Sequence, residues 1–505
     1  MPDQPQSIHL VWYKRDLRIT DHGPLHKAAE SGLPVLPLYI IEPSVINAPT
    51  FAPAHWAFIR QSLIELRENL AKLGQPLIVR IGHALPVLHA LAQEYAIEKI
   101  WAHEETTTLT GFKRDDELRA WAAAQAIPLD EMPTNGVVRG LSLDRRSRWK
   151  NIREDRMRKW PWPTPKNIRP LAQTSFGLGH IPDHDELGIA RNKRELQPAG
   201  EEEAGKILGG FLLWRGSKYI QESASPLTAP AASSRISPHL AYGTLSMRTA
   251  VREVRQQLYN FRSMSPQEKY QRGPLWVGSL RRFESRLLLR DELMQRMEWK
   301  PTIEIANQIS GFNGVRPDGS SGWPSALLEA WQTGRTGYPL VDASMRFLNH
   351  SGWLNYRMRA MLVSFAAHDL WLDWRGYSPY LARVFTDFEP GVHYNQLQML
   401  SGTSETQAFR VFDPIAEAKQ QDPRGEFIRR WLPELVGVPN SHIHQPETMS
   451  AEQQAQAGCI IGRAYPAPIV NHAEAAAKAK AQIQAIRSPK VKAVDSGLNL
   501  TDGLK

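Results

Sequence analysis

Ile8-His9-Leu10-Val11-Trp12-Tyr13 and Val35-Leu36-Pro37-Leu38-Tyr39-Ile40-Ile41 are apolar runs of strand length, and two more follow at Leu77 to Ile81 and Ile97 to Ala102. Each is short and mostly β-branched, aromatic or leucine, as strands are. Helical periodicity lies between them: Trp56, Ile59, Leu63, Leu66 and Leu70 step by three and four, lining a face that can cover a sheet, until Gly74 and Pro76 stop it. Strands joined through helices predict a parallel sheet with right-handed crossovers. Residues 1–134 therefore read as a doubly wound α/β domain with a ligand crevice beyond its strand ends.

Outward from there the pattern changes twice. Residues 135–200 are basic and proline-rich, including Trp160-Pro161-Trp162-Pro163-Thr164-Pro165, and read as an irregular surface connector; Arg145, Arg146, Arg148 and Lys150 suit either phosphates or a solvated face. After Glu201 strand signals almost vanish, so residues 201–485 read as a mostly α-helical domain. It opens on Glu201-Glu202-Glu203, where the macrodipole favours anions, followed by Ile207, Leu208, Phe211 and Leu212 on one face. Residues 486–505 read as a flexible tail.

Composition narrows the function classes. With 505 residues, 42% of them hydrophobic, and a net charge of +9, the chain can fill more than one core and is not globally disordered. The lone Cys459 excludes a disulfide framework, a four-cysteine zinc site and an iron–sulfur cluster held by this chain's thiolates. No signal-like leader and no long apolar run are found, so a cytoplasmic protein with no membrane partner is expected; a monomer is expected as well. Gly200 to Lys206 imitates a phosphate-binding loop, but Ile207 follows instead of Ser or Thr and three carboxylates would repel phosphate. His442 and His444 lack a third ligand, and no metal is expected. There is no Gly-x-Ser-x-Gly elbow.

Four segments of the helical half carry chemistry. Ser233-Ser234-Arg235-Ile236-Ser237-Pro238 places hydroxyls at a helix start, suited to a pyrophosphate or to ordinary capping. Trp331-Gln332-Thr333-Gly334-Arg335-Thr336-Gly337-Tyr338-Pro339 continues to Asn355-Tyr356-Arg357-Met358-Arg359, where Tyr356 and Arg359 share a helix face. Asp373-Trp374-Arg375 and Asp387-Phe388-Glu389-Pro390-Gly391-Val392-His393 set carboxylates beside aromatics and a histidine, with Asp387 a natural partner for Arg359. Arg410-Val411-Phe412-Asp413-Pro414 and Glu426-Phe427-Ile428-Arg429-Arg430-Trp431 complete the set.

Together with His9 to Arg18, these segments resemble the photolyase/cryptochrome family of flavoproteins, from His9 to about Ala473. The resemblance implies FAD in the helical domain. Tyr219, Ser233, Ser234, Arg235, Ile236 and Ser237 would contact its phosphates, Phe283 would lie near the flavin, Arg359 and Asp387 would flank the isoalloxazine, Glu389 stands where relatives have a second Asp, and His393 would face N5. A second antenna chromophore of unknown identity is also implied. The activity would be that of a deoxyribodipyrimidine photo-lyase, a carbon–carbon lyase that uses blue light and reduced FAD to split pyrimidine dimers in UV-damaged DNA; the alternative is a cryptochrome-like photoreceptor without repair.

Departures from the family pattern bear on that choice. Where cyclobutane-dimer enzymes place Glu and Trp, this chain has Arg286 and Leu289, and Tyr356 replaces a common Asn; Arg286, Arg290, Tyr356 and Arg357 are the expected DNA contacts. An Arg accepts no hydrogen bond from a thymine edge. Of the tryptophan chain that refills the flavin, Trp374 matches the middle member, but Leu397 and Met399 interrupt the usual route. A detour through Trp353, Trp371 and Tyr394, with Trp323 or Trp331 beyond, is the expectation.

Overall fold

In the computed structural model, which describes residues 5–172, 177–317, 325–405 and 409–487, strand β1 (Ser7–Tyr13) is the centre of a five-stranded parallel sheet. Its order is β3-β2-β1-β4-β5, with β2 at Val35–Ile41, β3 at Ile78–Ile81, β4 at Ala96–His103 and β5 at Leu129–Met132. The doubly wound sheet and the mostly helical remainder match the expected fold class. Side chains of β1 alternate between two cores: Ile8, Leu10 and Trp12 pack with Leu88 and Leu91 of helix Ala84–Glu94, whereas Val11 and Tyr13 pack with Trp56, Leu63, Leu66 and Leu70 of helix Pro53–Lys72. Both faces are covered, which is why the central strands β1 and β2 are almost wholly apolar. Gly74 ends the second helix at φ +118, and a Cβ there would meet the Ile168 carbonyl at 2.5 Å.

The division of the chain differs from the expected boundaries. One compact unit comprises Met1–Ile220, Ser234–Glu304 and Thr386–Val392; the other comprises Gln221–Ser233, Ile305–Phe385 and His393–Lys505. Helix Glu201–Leu213 belongs with the sheet because carboxylates fasten it there: Glu65 accepts from the N–H groups of Glu201 (2.8 Å) and Glu202 (2.9 Å), and Glu201 accepts from those of Ile19 and Thr20. The same Glu65 caps the helix start that imitates a phosphate loop.

Residues 135–200 are not merely a surface connector. They include helix Trp149–Arg158, and Trp149, Met157, Ile168, Leu171 and Ile181 are buried. Anchors so widely spaced in proline-rich sequence leave no periodicity to read. Arg153 of this segment pairs with Asp291 at 2.9 Å, both essentially without exposure. Burial pushes the Asp291 carboxyl up and the Arg153 charge opposes that. Asp291→Ala is expected to destabilise the protein by ~3–5 kcal/mol, since it strands a buried guanidinium, and Arg153→Met with Asp291→Leu should recover most of the loss in a urea titration.

Among its described residues the second unit is helical. Asp342, in helix Pro339–Ser351, accepts from the N–H groups of Thr336 (2.7 Å) and Gly337 (3.0 Å), from the Thr336 hydroxyl (2.7 Å) and from the Tyr465 hydroxyl (2.6 Å). This explains the Thr-Gly-Tyr-Pro segment: its turn is closed by a carboxylate six residues on. Gly337, at φ +81, lets the turn approach the Ala467 backbone, which a Cβ would meet at 2.5 Å.

Candidate functional site

Strand order reverses between β1 and β4, and the loops that leave their carboxyl ends form the crevice expected of this topology. Asp16 organises it. One carboxylate oxygen accepts from the Lys14 N–H at 2.7 Å; the other lies 2.9 Å from His22 Nε2 and 2.7 Å from His103 Nδ1. His22 Nδ1 accepts from the Leu25 N–H at 3.0 Å, so its ring proton sits on Nε2, pointed at Asp16. Asp16, His22 and His103 place ligand-type atoms within 4.8 Å of one another, but that tautomer presents His22 to Asp16 as a donor, and the group is a hydrogen-bonded triad. Burial resists ionisation of Asp16, yet the hydrogen bonds from His103 and His22 hold it well below the usual carboxylate range. Burial lowers His103 to about 3 and also lowers His22. The crevice, lined by Lys14, Arg15, His103, Arg290, Met294 and Glu389 among others, encloses about 40 Å3. Small-molecule pockets run to ~300–1,000 Å3, so a pigment would require these side chains to move apart.

The first unit holds most of the residues expected to meet the cofactor. Arg235 has φ +62 in the left-handed region and Ile236 follows in the right-handed region. That alternation turns successive N–H groups to one side, the concavity that cradles anions. Gln197 holds the turn, donating to the Arg235 carbonyl at 2.9 Å. Ser234 and Ser237, both half-buried, make no side-chain hydrogen bond among the described residues. A phosphate-bearing group fits this turn.

Tyr219 packs edge-on against Phe211 (5.6 Å) and Phe283 (6.1 Å). Burial raises its phenol, and the Arg286 guanidinium, hydrogen-bonded to it, opposes the rise. Glu389 takes an ion pair from Arg290 at 2.5 Å and lies 3.8 Å from Arg15, so Glu389 and Arg290 are tied to each other. Asp387 is half-buried, and its charge adds to burial in raising the Tyr242 phenol.

The second unit holds the others. Ser233 is half-buried. Arg359 donates to the Leu354 carbonyl at 2.6 Å and lies 4.1 Å from the centre of the Phe385 ring. Arg357 forms a two-pronged pair with Glu417, at 2.8 and 2.7 Å, and Tyr356 begins helix Tyr356–Ser364, half-buried. His393 Nε2 lies 3.0 Å from the Ser378 hydroxyl and 3.2 Å from the Ser378 carbonyl. A carbonyl only accepts, so the ring proton sits on Nε2. Trp374 is fully buried, donates to Asn307 at 2.8 Å and meets Tyr394 edge-on at 6.2 Å. Trp331 contacts Tyr377 at 5.5 Å, Trp371 lies under the Arg316 guanidinium at 4.5 Å, and Trp353 meets Phe347 at 6.3 Å; Trp323 lies outside the described residues. Sequence reasoning missed Asp16, His22 and His103, Asn307 and Ser378. Their partners are distant in sequence, and no local spacing announces them.

Known proteins resemble this chain over nearly its whole length. Residues 9–146 match the DNA photolyase family model, and residues 283–485 match that of the FAD binding domain of DNA photolyase. A cryptochrome DASH of Gloeobacter violaceus is 28% identical over 93% of this chain and 94% of its own length. A deoxyribodipyrimidine photo-lyase of Alkalihalophilus pseudofirmus is 27% identical over 94% and 97%. The crystal structure of a Synechocystis cryptochrome superposes with a TM-score of 0.81 at 26% identity, covering 95% of this chain and 99% of that one. The chain belongs to the photolyase/cryptochrome family.

Proposed function

We propose that this protein is a light-driven DNA lyase that splits ultraviolet-induced pyrimidine dimers. The observation that carries the reading is the Ser234–Ser237 turn, whose alternating backbone hands and unpartnered hydroxyls suit the phosphates of FAD. Bound and reduced, FAD supplies the photoexcited electron that cleaves the dimer. Tyr219, Ser233 and the turn would bind the phosphate end, Phe283 would shield the ring from water, and Arg359 and Asp387 would orient it. His393, whose Nε2 is engaged by Ser378, would hold or move a proton at Nδ1. Trp374 and Tyr394, at 6.2 Å, would relay electrons from the surface where Leu397 breaks the usual path.

One observation favours the photoreceptor reading. Arg286 occupies the position of the lesion-reading carboxylate and is engaged by Tyr219, so the pocket offers a donor where a thymine edge needs an acceptor. The two readings separate when chemically reduced protein is mixed with dimer-containing DNA under blue light. Dimers lost only in the light support the lyase; dimers unchanged while the flavin bleaches reversibly support the sensor. Arg286→Glu is expected to raise discrimination for cyclobutane dimers over undamaged DNA by ~10-fold, the value of a charged hydrogen bond. FAD content should hold, because a carboxylate can still accept from the Tyr219 hydroxyl; equal discrimination before and after substitution would remove Arg286 from the pocket.

A further inference from the structure

Helix Met247–Ser263 sets Arg252, Arg255, Tyr259 and Arg262 at intervals of three and four, along one face. With Met157 and Arg158 of helix Trp149–Arg158 they line an open groove of about 470 Å3. Four of its eight lining residues are arginines and none is a carboxylate, which gives it one sign of charge. Arg255 is already committed to Glu154 (2.8 Å) and Glu284 (2.6 Å), and Arg158 to Glu154 (3.1 Å). Arg252 and Arg262 have no ion-pair partner among the described residues. Arg252 instead lies on the Trp160 indole, 3.2 Å from the ring centre. Trp160 is 76% exposed and Tyr259 63% exposed, unusual for rings of this size.

Exposed rings interleaved with uncommitted arginines match one kind of ligand. Guanidinium groups hold phosphates, and aromatic faces stack unpaired bases at ~1–3 kcal/mol each. A protein partner would prefer a core depleted of charge. A duplex keeps its bases stacked on one another and has no use for the rings. From Arg252 to Arg262 the helix rises ~15 Å, the length of about four stacked nucleotides at ~3.4 Å apiece.

We propose that this groove binds a single strand of DNA irrespective of damage, with phosphates on Arg252 and Arg262 and bases stacked on Tyr259 and the Trp160–Arg252 pair. The choice of DNA over RNA rests on the lyase reading; the groove chemistry does not. The test is fluorescence anisotropy of end-labelled, undamaged oligothymidylate of twelve nucleotides, titrated in the dark with the flavin-loaded protein and compared with oligouridylate. Loss of two phosphate contacts in R252E/R262E should weaken binding by at least ~10-fold at low salt and flatten the log–log salt slope by about 1.4. Y259A should weaken binding ~10-fold with the slope unchanged. Circular dichroism and flavin content verify that the variants fold. Equal affinity of wild type and R252E/R262E would overturn the proposal, as would insensitivity to Y259A or tighter binding of oligouridylate. A protein that holds oligothymidylate through these residues but repairs no dimer keeps the groove and loses the lyase reading.

Discussion

Removing the hydroxyls of Ser234 and Ser237 together is expected to weaken FAD binding ~100-fold or more, each being a hydrogen bond to a charged group at ~1.5–3 kcal/mol. Neither hydroxyl bonds to the protein among the described residues, so Ser234→Ala with Ser237→Ala should leave the thermal midpoint of the apoprotein nearly unchanged. The affinity loss then reports ligand contact alone. The backbone N–H groups of the Arg235 turn remain, so weak uptake should persist at high FAD concentration. Titration of the apoprotein, followed by flavin fluorescence, measures the change. Wild-type uptake by the double variant would place the phosphates elsewhere. Asp387→Asn tests the ring end by the same titration, read as a disturbed flavin spectrum and altered photoreduction.

Acidification from pH 6.5 towards 4 is the second large effect. Burial lowers His103 to about 3, His239 to about 4 and His368 to about 3. In the unfolded chain each returns to ~6.5. Between those values the unfolded state binds protons that the folded state refuses, so stability is full above pH 6.5 and is lost as the pH falls. Three protons correspond to about 4 kcal/mol per pH unit. Asp16 acts in the same sense at the acid end: its depressed pKa contributes stability above the unfolded carboxylate value that disappears as the pH drops through the folded one. Urea midpoints at pH 7, 6 and 5 measure the slope. His368→Gln should flatten it by about 1.4 kcal/mol per pH unit, the share of one proton, and a midpoint indifferent to pH over this range would mean that the histidines titrate normally.

How much was legible in the sequence depended on whether the signal was local. The β1–β4 strands follow from short apolar runs and the helix bearing Trp56, Leu63 and Leu70 from a period of 3.6, and the structure places them within a residue or two. Strand β5 did not announce itself: Leu-Asp-Glu-Met is half polar and four residues long, and it pairs only because β4 offers an edge. The expected boundary at Glu201 marks a real change in secondary structure, but contacts such as Glu65 with Glu201 and Arg153 with Asp291 decide which helices belong to which body. They join residues more than a hundred positions apart. Candidate site residues were visible as motifs, whereas the partners that engage them, Tyr219 for Arg286, Glu417 for Arg357 and Ser378 for His393, had no sequence signature.

The 24-residue helix Trp276–Trp299 has a division of labour along its circumference. Asp291 and Gln295 are clamped by Arg153 and by the Val138 backbone, and Phe283, Leu287 and Met294 are sealed from solvent. Arg286 and Leu289, where the family resemblance would set a base-reading Glu and Trp, sit on its half-buried flank, away from the Arg153 and Val138 clamps, with Arg286 engaged by Tyr219. Such a rod can exchange what it says to a ligand without renegotiating how it is mounted. The same two positions therefore offer a protein engineer a dial that leaves the Arg153 and Val138 anchors of the helix untouched.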